Sequence, residues 1–163
     1  MAITREKKEA ISKKLSSIAK NSDSIVFANF HGLSVGATTN LRQSLRENGV
    51  SYYVAKKSLI KKAFDAENFK GEMPELEGEI AVAWSENDAL APSREIFNFS
   101  KKHKKTFALV GGVYEGEYKS KEIMTEIASI PSIEVLRGMF VNVINSPIQR
   151  MAIALGQIAE KKA

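Results

Sequence analysis

SYYVAKKSLIKKAF, residues 51–64, passes from a strand pattern to a helix pattern with no Gly or Pro between the two. Side chains alternate along a strand, so Val50, Tyr52 and Val54 share one face. Beyond them Lys56 and Lys57 fall at the turn, and Ser58 is predicted to cap the helix that follows. Leu59, Ile60, Ala63 and Phe64 supply that helix's core face, while Lys61 and Lys62 extend the charge over its next turn. A short strand thus delivers four lysines within seven residues to one edge of the fold. They require water or an anionic partner.

The flanks repeat this alternation. Thr4 is predicted to cap a helix to about Lys20, with Ile11, Leu15, Ile18 and Ala19 inward and Lys7, Lys8, Lys13 and Lys14 outward. SIVFANF (24–30) reads as a buried strand. His31-Gly32-Leu33-Ser34 is a tight turn, with Ser34 capping a helix that runs to Asn48 and stops at Gly49. Leu41 and Leu45 anchor that helix; Arg42 and Arg46, one turn apart, share another face. Downstream, NFKGEMPELEGE (68–79) reads as a solvated acidic loop, EIAVAWS (79–85) as a strand, and 92–102 as a helix ended by Lys101, Lys102, Lys104 and Lys105. Residues 106–118 read as strand interrupted at Gly111-Gly112, and Ser120 opens a short helix to Ser129.

Pro131 marks a boundary. Residues 131–163 carry no strand signal and read as two helical segments broken near Asn145-Ser146-Pro147. After the break, Ile144, Ile148, Met151, Leu155 and Ile158 step by four and three, an a/d-type seam. Such a helix either folds back to complete the N-terminal core or docks partner helices on its apolar face. The expected architecture is therefore α/β: an N-terminal domain (1–130) with a mixed sheet of four to five strands flanked by helices, then an all-helical extension (131–163). The hinge candidates are Pro131 and the Asn145–Pro147 break.

Charge is unevenly spread. Residues 1–70 hold 13 Lys+Arg against 6 Asp+Glu, whereas residues 71–130 hold 7 against 11. The first part, at +7, should attract phosphates more than the net +5 suggests. The absence of Cys excludes disulfides and thiolate metal sites. MAITREKKEA has no apolar segment of the kind found in a signal peptide, and no apolar run is long enough for a bilayer span, so a cytoplasmic protein without membrane partners is expected. His31 and His103 lack catalytic or metal-binding company, and no phosphate-loop or calcium-loop spacing occurs, so neither an enzyme nor a cofactor is expected.

The candidate nucleic-acid-binding set read from charge is Lys7, Lys8, Arg42, Arg46, Lys56, Lys57, Lys61 and Lys62, with Tyr52 and Tyr53 beside it. The candidate partner-binding set is Ile144, Ile148, Met151, Leu155 and Ile158. Four stretches in this order carry a resemblance over essentially the whole chain: FANFHGLSV (27–35), LRQSLRENGVSYYVAKKSLIKKAF (41–64), EGEIAVAWS (77–85) and IPSIEVLRGMFVNVINSPIQRMAIALGQIAEKK (130–162). They resemble the family of bacterial large-ribosomal-subunit protein ten, the stalk-base protein that anchors the acidic stalk protein seven/twelve.

The resemblance implies an N-terminal domain on large-subunit ribosomal RNA, with Phe30-His31-Gly32-Leu33 and Lys56-Lys57-Ser58-Leu59 at the RNA beside a neighbouring stalk-base protein. It also implies a C-terminal helix from about Ser146 that carries dimers of the acidic protein, which recruit translation GTPases. The family's Asn-Thr after the lysine is Lys57-Ser58 here, replacing an amide with a charge. The chain also lacks the extra C-terminal repeat of longer members, which implies two dimers rather than three. The competing reading is a homodimeric DNA-binding regulator that uses the C-terminal seam for dimerisation.

Overall fold

The computed structural model describes residues 5–67, 69–85, 88–103 and 106–162. In chain order the elements are α1 (Arg5–Asn21), β1 (Ser24–Phe30), α2 (Val35–Glu47), β2 (Ser51–Ala55), α3 (Lys57–Asp65), β3 (Glu79–Ser85), α4 (Ala91–Lys102), β4 (Phe107–Tyr114), β5 (Glu117–Ser120), α5 (Lys121–Ser129) and α6 (Ile133–Lys162). The five strands form one sheet in the order β2-β3-β1-β4-β5. Helices and sheet together give the expected α/β class. Each strand pairing is antiparallel, where the sequence suggested a mixed sheet. β1 and β2, joined through α2, do run the same way, but β3 inserts between them and opposes both.

The central strand shows why SIVFANF reads as largely buried. Ile25 and Phe27 enter a core with Leu15 and Ile18 of α1 and Ile60 and Phe64 of α3. Val26 and Ala28 enter the opposite core with Leu41 and Leu45 of α2, Ile96 of α4 and Met124 of α5. Period-two alternation thus feeds two apolar layers, one on each face of the sheet. Phe27 and Phe64 meet edge to face at 5.2 Å between ring centroids, locking α3 against the sheet.

Local chemistry sets the element ends. The Ser34 hydroxyl accepts from the Ala37 N–H at 3.2 Å, the expected cap of α2. At α3 the expectation fails: Lys56, not Ser58, is the cap residue, and no side chain caps the helix. The strand ends at Ala55, so the extended residue preceding the helix is Lys56, and Ser58 already lies within the first turn. The proposed cap Thr4, with Lys104 and Lys105, lies outside the described residues.

Two further expectations are corrected. β4 runs unbroken through Gly111-Gly112; its irregularity is a register shift against β1, where Phe27 faces Gly111 but Ala28 faces Leu109, leaving Val110 as the extra residue. The chain reverses instead at Glu115-Gly116, both at positive φ (52° and 77°), as a two-residue hairpin turn of this hand requires. Nor is the acidic loop merely solvated. Leu76 is buried, and Phe69 and Met73 pack on the α1/α3 core. Lys70 pairs with β5, its N–H donating to Gly116 O at 3.1 Å while the Tyr118 N–H donates to Lys70 O at 2.9 Å.

Alkaline stability follows from two of these tyrosines. Burial pushes the Tyr52 phenol up to about 12, against the pull of Arg42, and pushes Tyr118 up to about 12 with help from the Asp65 carboxylate. The folded state therefore keeps two protons that the unfolded chain releases near pH 10. Their contribution is complete below pH 10 and is lost as the pH rises towards about 12. Denaturant melts are expected to show stability falling across that window, and Tyr52→Phe to remove part of the slope.

The chain divides into two compact units, Met1–Ile130 and Pro131–Ala163. The second is one helix: α6 runs through Pro147, so the expected break at Asn145–Pro147 does not occur. Proline removes one N–H and crowds the carbonyl four residues earlier, here Val143, but the cost is confined to one turn. At 100° per residue the unbroken helix brings Leu136, Phe140, Ile144, Ile148, Met151, Leu155 and Ile158 within an arc of about 120°. Gly138, Asn142, Asn145, Gln149, Gly156 and Glu160 form the opposite strip. Among the described residues no single helix is long and apolar enough to cross a membrane.

Candidate functional site

The C-terminal ends of β1 and β2 lie at the same end of the sheet, with the start of β3 between them. Two strand spacings put these ends about 10 Å apart. His31-Gly32 leaves β1 there, and Lys56-Lys57-Ser58 leaves β2. Gly32 turns at φ +64°, and the His31 N–H donates to Thr106 O at 2.8 Å, holding the turn against the approach to β4. Between the two turns opens a recess of about 610 Å³, lined by Ile11, Phe30, Val54 and Leu59 with Lys56 and Lys57 on its wall. Lys7 and Lys8, both exposed, lie one turn before Ile11 on α1. This sheet end therefore gathers Lys7, Lys8, His31, Gly32, Lys56, Lys57 and Ser58.

Arg42 and Arg46 belong elsewhere. They stand on α2 alongside the outer edge of β2, in a groove of about 480 Å³ with Lys14, Ser51, Tyr53 and Trp84. Lys61 and Lys62 are exposed on the outer side of α3, whose inner side buries Ile60, Ala63 and Phe64. The single patch expected from sequence is thus three groups of cations, and Val54 borders both the recess and the groove.

These cations are uncommitted. Ion pairs occur away from the site, at Lys20–Glu67 (3.5 Å), Arg94–Asp88 (3.9 Å) and Lys119–Glu117 (2.6 Å). Among the described residues none engages Lys7, Lys8, Lys56, Lys57, Lys61 or Lys62. The tyrosines are engaged: Lys14 Nζ lies 4.7 Å from the Tyr53 ring centre and the Arg42 guanidinium 5.8 Å from that of Tyr52. Both rings are half-buried, on opposite faces of β2. Lys14 and Trp84 are absent from the sequence-derived set. Trp84 is the chain's one Trp and ends an apolar strand, the only hint available before folding. No His/Asp/Glu grouping among the described residues could hold a metal ion.

The candidate partner residues sit on α6, all exposed: Ile144 by 63%, Ile148 by 69%, Met151 by 66%, Leu155 by 57% and Ile158 by 52%. Both core clusters of the first unit consist of residues no later than Ile127.

This combination of a basic α/β unit and an apolar terminal helix agrees with what family models recognise. Residues 3–101 match the model described as ribosomal protein L10, and residues 130–163 match that of the ribosomal protein uL10 C-terminal region. The chain belongs to the ribosomal protein L10 family. Relatives named large ribosomal subunit protein uL10 include one from Fusobacterium nucleatum, 36% identical over 98% of this chain and 96% of its own length. Another, from Bacillus licheniformis, is 32% identical over 99% and 97%. One from Staphylococcus carnosus is 34% identical over 96% and 94%. L10-family membership makes this a structural protein of the large ribosomal subunit rather than an enzyme, and it replaces the DNA-binding regulator reading.

Proposed function

We propose that the chain is the base of the large-subunit stalk, an adaptor with RNA at one end and acidic helical partners at the other. The observation that supports this reading is its division into a unit bearing uncommitted cations and a helix bearing an uncovered apolar stripe. The sheet end at His31-Gly32 and Lys56-Lys57-Ser58 binds large-subunit ribosomal RNA through phosphates and shape, with Lys7, Lys8, Lys61 and Lys62 adding longer-range attraction. Arg42 and Arg46 line a separate groove along the β2 edge and contribute less to RNA affinity than the lysines.

On α6, Ile144, Ile148, Met151, Leu155 and Ile158 dock two dimers of the acidic stalk protein, and through them translation GTPases. A neighbouring stalk-base protein shares the RNA site. The protein works bound to ribosomes in the cytoplasm. Pro131, the first residue of the second unit, serves as the hinge in this reading, supported by the continuity of α6 through Pro147.

Charge reversal tests the RNA end. Lys56→Glu with Lys57→Glu is expected to weaken binding to a folded stalk-base ribosomal RNA fragment at least tenfold. Each lost phosphate contact should also flatten the log K against log salt slope by roughly 0.7–0.9. Both residues are exposed, so thermal stability should hold. Unchanged affinity and slope would remove the RNA from this end of the sheet.

A further inference from the structure

The sheet has two edges, and they are finished differently. At β5, the Lys70 segment supplies backbone pairing through Gly116 and Tyr118. At β2 no strand follows, and Ser51–Ala55 carries neither charge nor proline to discourage one. Helices stand on both sides of this open edge, and each presents a cation to it: Lys14 of α1 over Tyr53, and Arg42 of α2 over Tyr52, with Arg46 one turn on. No carboxylate lines the groove between them.

We propose that the β2 edge is a docking groove for an extended acidic peptide segment, which adds as a sixth strand. Main-chain pairing to Ser51–Ala55 would supply affinity, and the added strand's alternate side chains would point to opposite faces. Carboxylates on one face then meet Lys14, and those on the other meet Arg42 and Arg46, so the groove selects acids on both faces. A second copy of this chain fits poorly, because its own Lys14, Arg42 and Arg46 would confront the same cations. Nucleic acid is the other anion to consider. It lacks the regular alternation of donors and acceptors that would pair a whole strand edge, and each tyrosine ring already carries a cation on one face. The inference is independent of the RNA reading, which concerns the sheet end at Lys56-Lys57.

Trp84 borders the groove opposite Ser51 and is the only Trp, so its fluorescence reports occupancy. The probe is a synthetic seven-residue peptide, Val-Glu-Glu-Val-Glu-Glu-Val, whose carboxylates fall on both faces of an added strand, titrated into the full chain at low salt, alongside a version N-methylated at alternate amides. The unmethylated peptide is expected to shift Trp84 emission, slow amide exchange within Ser51–Ala55, and bind at least tenfold more weakly to Lys14→Glu or Arg42→Glu. The methylated peptide should not bind. Equal binding of both peptides, or no protection of β2 amides, would overturn strand addition. A single-stranded oligonucleotide that displaces the peptide and itself protects Ser51–Ala55 would assign the groove to nucleic acid and overturn the proposal too. Lys56→Glu with Lys57→Glu should weaken RNA binding yet leave amide protection of Ser51–Ala55 in place at saturating peptide, which separates failure here from failure of the RNA reading.

Discussion

Ile148→Asp together with Leu155→Asp is expected to lower affinity for the acidic helical partner about a thousandfold or more. Ile148 and Leu155 lie seven residues apart on the α6 stripe, each more than half exposed in the free chain. Covering such a side chain contributes roughly 1.5–3 kcal/mol, so losing two removes about 3–6 kcal/mol before any cost of burying aspartate. At about 1.4 kcal/mol per decade this is two to four orders of magnitude, and the desolvated carboxylates, facing an acidic partner, add to it. The N-terminal unit should be untouched, because its cores contain nothing from α6. Titration calorimetry of the partner against both proteins, with thermal melts of each, checks both halves. Retained affinity would move the docking face off the Ile148–Leu155 stripe; a lost N-terminal melt would favour the fold-back reading.

Gly112→Ala should destabilise the N-terminal unit more than most single methyl additions do. A Cβ there would overlap Ile25 O of the central strand and come within 2.8 Å of Met124 Cε from α5. Overpacking typically costs about 1–3 kcal/mol, and the upper end or beyond is expected here because one colliding atom is backbone. β1 is hydrogen-bonded on both sides and cannot withdraw. Denaturant midpoints of the two proteins measure the effect. Gly138→Ala, with nothing within 4 Å of its Cβ, is the control and should be neutral or slightly stabilising.

Much of this fold was legible because local signals and tertiary demand coincide. SIVFANF is apolar at every buried position after Ser24, and Ser34 caps α2 where the pattern placed it. What escaped depends on partners distant in sequence. β1-α2-β2 has the spacing of a parallel pair, and nothing local announces that β3 will slide between them. Phe69, Met73 and Leu76 show no periodicity because each leaves the loop singly to reach the core. Gly111-Gly112 resembles a break because glycine weakens strands; its reason is the close approach of β1, α5 and Pro74.

The functional residues divide the same way. Lysines at Lys56 and Lys57 follow from the end of a strand, which the sequence marks. The pairing of Lys14 with Tyr53, 39 positions later, requires α1 to lie across β2. Pro147 misled in the opposite sense: its penalty is local, and α6 continues on both sides of it. With the helix unbroken, Leu136 and Phe140 join the seam from Ile144 to Ile158 as one longer apolar stripe.

The adaptor claim is tested most directly by the mass, from light scattering, of the full chain mixed with a stalk-base ribosomal RNA fragment and excess acidic stalk protein. The account predicts one particle containing the chain, the RNA and two dimers of the acidic protein, with only the dimers lost when residues 133–163 are removed. It would be contradicted if RNA and acidic protein excluded each other, or if the truncated chain still carried the dimers.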